Sequence, residues 1–265
     1  MITRYLTKDE LRSSQLAMLQ EIHKVCVEND LRYYLAYGTL LGAVRHKGFI
    51  PWDDDMDIMM PVEDYFKLKE LYKSERYFLA DCLCEKKHQL YFPRIYDGKT
   101  CRDGDEKTLG VFIDIYLMHG VPFRNQKKCA EHILNVIKLA ENRKQVIKWR
   151  GRFARHLFPF FWNQYESKII TFFNQRVYNQ LAKYEYETSE VIYAFGGDGL
   201  TELFWKNYFY ETVLLDFEGH QFFAPHKYGE VLSVTYGDYM QLPPEECRHP
   251  YHCSSSFCWK IGIFD

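Results

Sequence analysis

One stretch, Tyr37 to Asp57 (YGTLLGAVRHKGFIPWDDDMD), constrains this chain more than any other. It sets Asp53, Asp54, Asp55 and Asp57 directly ahead of the apolar run Ile58-Met59-Met60. Asp55 to Met60 reads as a strand closed by Pro61. Side chains alternate across a strand, so Asp55 and Asp57 should share one side while Met56, Ile58 and Met60 face the core. Two carboxylates a few ångströms apart repel and raise each other's pKa. A divalent cation removes that penalty, and an all-oxygen ligand set suits magnesium, or manganese, better than zinc.

Asp114 offers a third carboxylate. It sits in a strand pattern from Val111 to Leu117, where Val111, Ile113 and Ile115 alternate toward the core and leave Phe112, Asp114 and Tyr116 on the other face. A carboxylate in so apolar a strand is costly unless something pairs with it. The partner is either a metal shared with Asp55 and Asp57 or a core-edge arginine, and Asp53 to Asp57 can also be read as a solvated acidic turn. The agreement of these features selects Asp55, Asp57 and Asp114 as metal ligands and catalytic residues.

Upstream, Tyr33 to Tyr37 reads as a short strand, broken by Gly38-Thr39 before a helix over Leu40 to Arg45. A glycine at a strand-to-helix junction lets backbone amides approach a phosphate, whose charge the helix N-terminus favours. Gly38 and Thr39 are therefore candidate substrate contacts, and Arg45, His46 and Lys47 bring positive groups close to the acidic run. Each of those three reads equally as an ordinary surface charge.

The rest of the chain completes an α+β pattern. Thr7 to Glu10 is a capping box ahead of a helix ending near Asn29, Glu63 to Tyr72 is helical, and Tyr91 to Tyr96 is a strand. Gln126 to Lys148 and Trp162 to Tyr184 are helical in pattern, followed by short elements with turns at Gly196-Gly197 and Tyr236-Gly237. The expectation is one domain over 1–265: a mixed β-sheet core flanked by helices in 1–120, and a more helical, mixed remainder in 121–265 packed on it. With 265 residues, 47% of them hydrophobic, the chain can bury a sizeable core.

A net charge of -2 argues against a nucleic-acid partner. The start MITRYLTKDE lacks the pattern of a signal peptide and no apolar run is long enough to span a bilayer, so a cytosolic location is expected. The 8 cysteines then read as free thiols. Cys247, His249, His252, Cys253 and Cys258 are zinc-type ligands close together, but without a paired CxxC, and buried thiols plus an active-site-edge histidine is the simpler reading. Residues 148–162 (KWRGRFARHLFPFFW) interleave basic and bulky apolar side chains, which suits either a segment lying on a membrane surface or a loop entering the next helix.

Tyr37-Gly38-Thr39 through Arg45, followed by Gly48-Phe49-Ile50-Pro51-Trp52-Asp53-Asp54-Asp55-Met56-Asp57, resembles the LicD family of phosphocholine transferases, which shares motifs with the fukutin-related enzymes. A second similarity lies in Phe217-x-Gly219, Pro225, Tyr228, Leu232, Tyr236 to Met240 and Leu242-Pro243-Pro244. The resemblance implies a nucleotidyltransferase-like fold, with Gly38-Thr39 opening the phosphate-side helix, Asp55 and Asp57 as the metal pair, Asp114 as third carboxylate and Asp53 ligating metal or orienting a ligand. It implies magnesium-dependent transfer of phosphocholine from CDP-choline to a sugar hydroxyl of a cell-surface glycan, a teichoic acid or a lipid-linked precursor, with release of CMP. Asp114 is then the candidate base, with Asp53 as the alternative. Choline calls for aromatic faces, and Trp52, ahead of Tyr37 and Phe49, is the candidate. The alternatives are transfer of phosphoethanolamine, glycerol phosphate or ribitol phosphate, transfer of a nucleoside monophosphate, and a non-catalytic glycan- or nucleotide-binding module.

Overall fold

Residue 7 begins the first element in the way its side chain dictates. The Thr7 hydroxyl accepts from the Glu10 amide (3.2 Å) and the Glu10 carboxylate accepts from the Thr7 amide (2.9 Å), which closes the predicted capping box at the head of α1 (Lys8–Glu28). This computed structural model describes residues 4–81, 90, 92–129, 131–132, 135–136, 138, 168–169, 171–179, 183–195, 203–250 and 256–260. After α1 come β1 (Tyr34–Leu35), α2 (Tyr37–Arg45), β2 (Asp57–Pro61), α3 (Val62–Leu71), β3 (Tyr77–Ala80), β4 (Arg94–Asp97), β5 (Thr100–Arg102) and β6 (Phe112–Val121). The later elements are β7 (Val191–Phe195), β8 (Leu203–Trp205), β9 (Thr212–Phe217), β10 (His220–Pro225), α4 (Tyr228–Tyr236) and β11 (Phe257–Trp259).

A 7-stranded mixed sheet is organised around β6. On one side β2 runs parallel to it, from Asp57 opposite Asp114 to Pro61 opposite Met118, and β1 continues outward from β2. On the other side β4 pairs antiparallel with the start of β6, Arg94 facing Asp114, and carries β3 beyond it. The far end of β6 pairs with β7, which carries β8. The class is α+β, as expected. Met18, Leu19, Ile22 and Cys26 of α1 are buried, and that helix touches β4 and β6.

Several boundaries differ from the sequence reading. β2 starts at Asp57, so Asp55 lies in the loop ahead of it rather than two places along the same strand. All five residues of β2 are buried, because a parallel strand in the middle of a sheet has both faces covered and loses the simple in-and-out alternation. α2 begins at Tyr37, so Gly38 and Thr39 form its first turn instead of interrupting β1; Tyr37 takes φ 42° to make that junction, a strained value for a bulky side chain. β6 runs on to Val121, beyond the predicted Leu117. Of the predicted helices in the middle of the chain, residues 126–129 and 171–179 are helical, and most of the remainder lies outside the described residues, as do 148–162 and Gly196-Gly197.

Two smaller sheets lean on this core. β9 and β10 form a hairpin through Glu218 (φ 50°) and Gly219 (φ 76°), two left-handed residues in succession as a tight type I′ connection needs. β11 pairs with β5, placing Cys258 opposite Cys101. The hairpin grips the loop after α2: Glu218 donates its amide to the Lys47 carbonyl (2.9 Å) and accepts the Phe49 amide on its carboxylate (3.0 Å).

That grip brings the Gly48 carbonyl onto α2, where a Cβ at Gly42 would lie 2.4 Å from it. In an open helix Gly→Ala stabilises by about 1 kcal/mol. Here overpacking against backbone, about 1–3 kcal/mol, should win, and Gly42→Ala is expected to lower the thermal midpoint measured by circular dichroism. A raised midpoint would mean that the Gly48 loop yields without strain.

Candidate active site

Register places the first two carboxylates. Because β2 and β6 pair in parallel with Asp57 opposite Asp114, both side chains meet at one place in the sheet, 5% and 2% exposed respectively. The Thr39 hydroxyl accepts the Asp57 amide (2.8 Å), tying the first turn of α2 to the first residue of β2. The loop carrying Asp53, Asp54 and Asp55 is pinned from α1: Arg12 donates to the Ile50 carbonyl (2.8 Å), Gln15 to the Asp54 carbonyl (3.1 Å) and Lys8 to the Pro51 carbonyl. Within it the Asp53 amide closes a turn onto the Ile50 carbonyl (3.0 Å).

Gly38 is needed by this arrangement. A Cβ there would stand 2.4 Å from Asp53 Oδ2, so the absent side chain is what lets the Asp53 carboxylate rest on the first turn of α2. Carboxylate oxygens of Asp53, Asp54 and Asp55 lie within 4.8 Å of one another. Burial, and then the charge of Asp55, pushes the Asp53 carboxyl up to about 7. Asp57 is pushed well above the ordinary range by burial and then by Asp55, Asp114 and Asp53 in turn, with Arg94 opposing. Four carboxylates thus act on one small volume.

Asp114 has its own counter-charge. Arg94 forks onto it, Nε to Oδ1 and Nη2 to Oδ2 (3.0 Å), and its guanidinium lies 3.7 Å from the centroid of the Phe112 ring. Burial alone would depress the arginine, but Asp114 outweighs it and holds Arg94 above its ordinary value. Of the two partners considered for Asp114, the arginine is present. An ionised carboxylate has about four acceptor sites, so a two-point fork leaves room for a further ligand. Asp57 Oδ1 is buried with no hydrogen-bond partner among the described residues. An orphaned carboxylate oxygen inside an all-oxygen cluster of excess negative charge fits a hard divalent cation.

A cleft of about 570 Å³ opens beside the cluster, and its lining includes Gly38, Arg45, Trp52, Asp53, Tyr236 and Tyr239. The remaining predicted contacts are disposed around it. Arg45 donates Nη1 to the Tyr239 carbonyl (2.9 Å), so it anchors the chain after α4 as well as facing the cleft. His46 meets the edge of Trp52 (ring centroids 6.1 Å), and burial followed by the Arg45 charge lowers its pKa. The Arg248 guanidinium sits 5.5 Å from the Trp52 ring centroid. Thr39 is buried beneath the cleft, with its hydroxyl turned to Asp57.

Sequence reasoning passed over Arg94, Tyr116 and Tyr236. Arg94 had a signal, since a cation within Pro93-Arg-Ile-Tyr96 needs a partner as much as Asp114 does. Tyr116 had one in sharing the Asp114 face of its strand, and Tyr236 in falling within the second stretch of resemblance, but neither was singled out from the many other aromatic residues. Tyr116 follows Asp114 by two places in β6 and Tyr236 lines the cleft, and both hydroxyls are raised by burial first and then by Asp57. The zinc-type grouping does not assemble among the described residues. Cys247 and His249 line the cleft, Cys258 is buried with its sulfur 3.6 Å from that of Cys101, and His252 and Cys253 lie outside the described residues.

A mixed sheet that seats a buried carboxylate cluster at the start of adjacent parallel strands, beside the N-terminus of a helix, defines a nucleotidyltransferase-type domain. Comparison with known proteins agrees with this: residues 30–131 match the family described as LicD/FKTN/FKRP, nucleotidyltransferase domain, so the resemblance read from the sequence is borne out. The chain is 29% identical over 274 residues to the lipopolysaccharide cholinephosphotransferase LicD of Haemophilus influenzae, covering 95% of this chain and 99% of that one. It is 41% identical over 51 residues to the human ribitol 5-phosphate transferase FKRP, 19% of this chain and 10% of that one. A 28% identical match over 114 residues to mannosyltransferase regulator 4 of Saccharomyces cerevisiae covers 41% and 9%. The likeness to LicD and FKRP marks the chain as a transferase.

The crowding has a measurable consequence in protein stripped of divalent cations. A carboxyl raised from 3.8 to about 7 on folding stabilises the fold below 3.8 and loses that contribution as pH rises through 7. Asp53→Asn should therefore raise the melting temperature at pH 8, by about 2–4 °C for each kcal/mol relieved, and raise it less at pH 5. A gain that is equal at both pH values, or a loss at pH 8, would contradict the crowded-carboxylate assignment.

Proposed function

We propose that this protein transfers a phospho-alcohol, phosphocholine in the first instance, from its CDP-linked donor to a hydroxyl of a glycan or lipid-linked sugar, releasing CMP. The observation that carries this reading is the carboxylate cluster with its orphaned Asp57 oxygen beside the Gly38–Asp53 cleft. The near full-length likeness to a cholinephosphotransferase supports the choice of alcohol, and the likeness to a ribitol 5-phosphate transferase supports the broader class.

Asp55, Asp57 and Asp114 would hold magnesium, or manganese in its place. Bound there, the cation would supply charge neutralisation for the diphosphate and for the leaving CMP. In the proposed step the acceptor oxygen bonds to the phosphorus carrying choline as that phosphorus parts from the CMP oxygen, and the acceptor proton passes to a carboxylate. Between the two candidate bases the structure favours Asp53. Asp53 lines the cleft where an acceptor could reach it, whereas Asp114 is engaged by the Arg94 fork. Gly38 leaves the first-turn amides of α2 open to a phosphate oxygen once the Asp53 carboxylate moves aside. Trp52 already holds one cation, Arg248, near its ring, and a quaternary ammonium would be drawn to a free face of the same ring by the same attraction. Tyr236, Tyr239 and Asp238 line the cleft around it and would complete the surroundings of the alcohol.

Asp55→Asn and Asp57→Asn should each reduce transfer about 100-fold or more while leaving the circular dichroism spectrum unchanged. Full activity in either would remove that residue from the site. Calorimetry in magnesium should show CDP-choline bound in preference to CDP-ethanolamine, CDP-glycerol, CDP-ribitol and CTP, with the preference lost in Asp55→Asn. Tighter binding of another CDP-alcohol would keep the reaction and change the donor. Tighter binding of CTP would favour nucleotidyl transfer, and no nucleotide binding at all would favour a binding module.

A further inference from the structure

A second cavity, of about 420 Å³, lies beyond the far end of β6, between the chain that leaves that strand and residues 183–184. Arg124, Lys128, His132 and Lys183 converge on it, with Asn125 and Tyr184 between them, and no carboxylate is among the described residues that line it. Among the described residues none of Arg124, Lys128 and Lys183 is held in an ion pair. Glu131 and Glu185, near in the chain, are not among the lining residues, and Glu187 is taken by Arg32 (2.6 Å) and Lys206 (3.3 Å). Lys183 lies 5.4 Å from the Tyr184 ring centroid, and its charge is felt by the half-buried Cys129 thiol. Cations gathered without a counter-charge repel one another unless an anion joins them. Guanidinium and ammonium donors around one small volume suit the oxygens of a phosphate.

The rim says which phosphate. Phe123, next to Arg124 in the chain, is 58% exposed, and it meets Trp205 of the edge strand β8, itself 46% exposed, with ring centroids 6.0 Å apart. Large aromatic rings left in water beside a basic cavity are the pairing that sits at a bilayer interface, rings among the headgroups and cations on their phosphates. Among the described residues no helix is long and apolar enough to cross a membrane. β6 also fixes the distance from the acidic cleft. Eight residues separate Asp114 from Pro122, about 26 Å of strand, so a lipid held here leaves the cleft open.

We infer that the Arg124–Lys128–Lys183 cavity binds the phosphate headgroup of an anionic membrane lipid and, with Phe123 and Trp205, docks the protein on a bilayer. The inference is independent of the donor assigned above and of residues 148–162. It is tested by flotation of the full chain with vesicles of phosphatidylcholine, with and without phosphatidylglycerol. The wild type should float only with the anionic vesicles, and added salt should weaken that attachment. Lys128→Glu/Lys183→Glu should weaken it at least about tenfold, and the milder Lys128→Gln/Lys183→Gln, which guards against misfolding of the reversal variant, should weaken it by less. Phe123→Ser/Trp205→Ser should also reduce it, and calorimetric binding of CDP-choline should stay unchanged in all of these variants, which separates this surface from the cleft. Wild-type strength in both lysine variants would overturn the inference, as would equal attachment to neutral vesicles or none to either. A titration with inorganic phosphate, read by tryptophan fluorescence, forms the other arm: phosphate binding without vesicle attachment would assign the cavity to a soluble phosphate instead.

Discussion

Four carboxylates held close together repel one another, and much of the surrounding structure is the means of holding them. Asp57 and Asp114 are fixed by the parallel register of β2 and β6, which cannot slip without turning one of them to the other face of the sheet. Asp53 and Asp55 ride on a loop whose carbonyls are held by Lys8, Arg12 and Gln15 of α1. The Arg94 fork neutralises one charge, and its position opposite Asp114 is itself a result of strand pairing, between β4 and β6. What remains is an excess of negative charge in a nearly dry place, with Asp57 and Asp114 both buried. A divalent cation would relieve that excess, which is the fit noted for the unpartnered Asp57 oxygen.

The two stretches that carry the family resemblance are far apart in the chain and adjacent in space. Phe217 packs its ring on Phe49 (centroids 4.9 Å), and Glu218 bonds to both sides of Gly48. Arg45 reaches the carbonyl of Tyr239, and Trp52 faces Arg248. The segment after α4 therefore forms the outer wall of a cleft whose floor comes from α2 and the acidic loop, and the hairpin β9–β10 braces that floor from behind through Gly48 and Phe49. Of the second stretch, Tyr236 and Asp238 to Pro244 except Met240 line the cleft itself, while Phe217 and Gly219 belong to the hairpin that supports it.

The acidic residues could be named from the sequence because their chemistry is local: a carboxylate before or within an apolar strand calls for a partner wherever the strand goes. The α+β class followed from the same periodicities. Strand ends were less legible. Asp55 falls outside β2 because ladder pairing with β6 begins only at Asp57, a fact set by a strand more than fifty residues away. The burial of Met59 alongside Met60 was hidden for the same reason, since alternation marks a half-exposed strand and β2 is covered on both faces. Tyr236 and Tyr116 were illegible among so many aromatic residues, because a tyrosine at a charge cluster and a tyrosine in a core have the same letter. Gly42 looked like any helix glycine until the Gly48 carbonyl came to rest on it.

β2 and β6 run the same way, so the chain must travel back before it can enter the second strand, and residues 62–111 are that return path. The path holds α3, β3, β4 and β5, and of these only β4 contributes a side chain to the acidic cluster. Within it β4 is itself held to β6 at Arg94, Ile95 and Tyr96, so both sides of β6 are set by pairing. The facing carboxylates therefore exist only at one alignment of the strands, and a single residue gained or lost inside β2 or β6 would separate them.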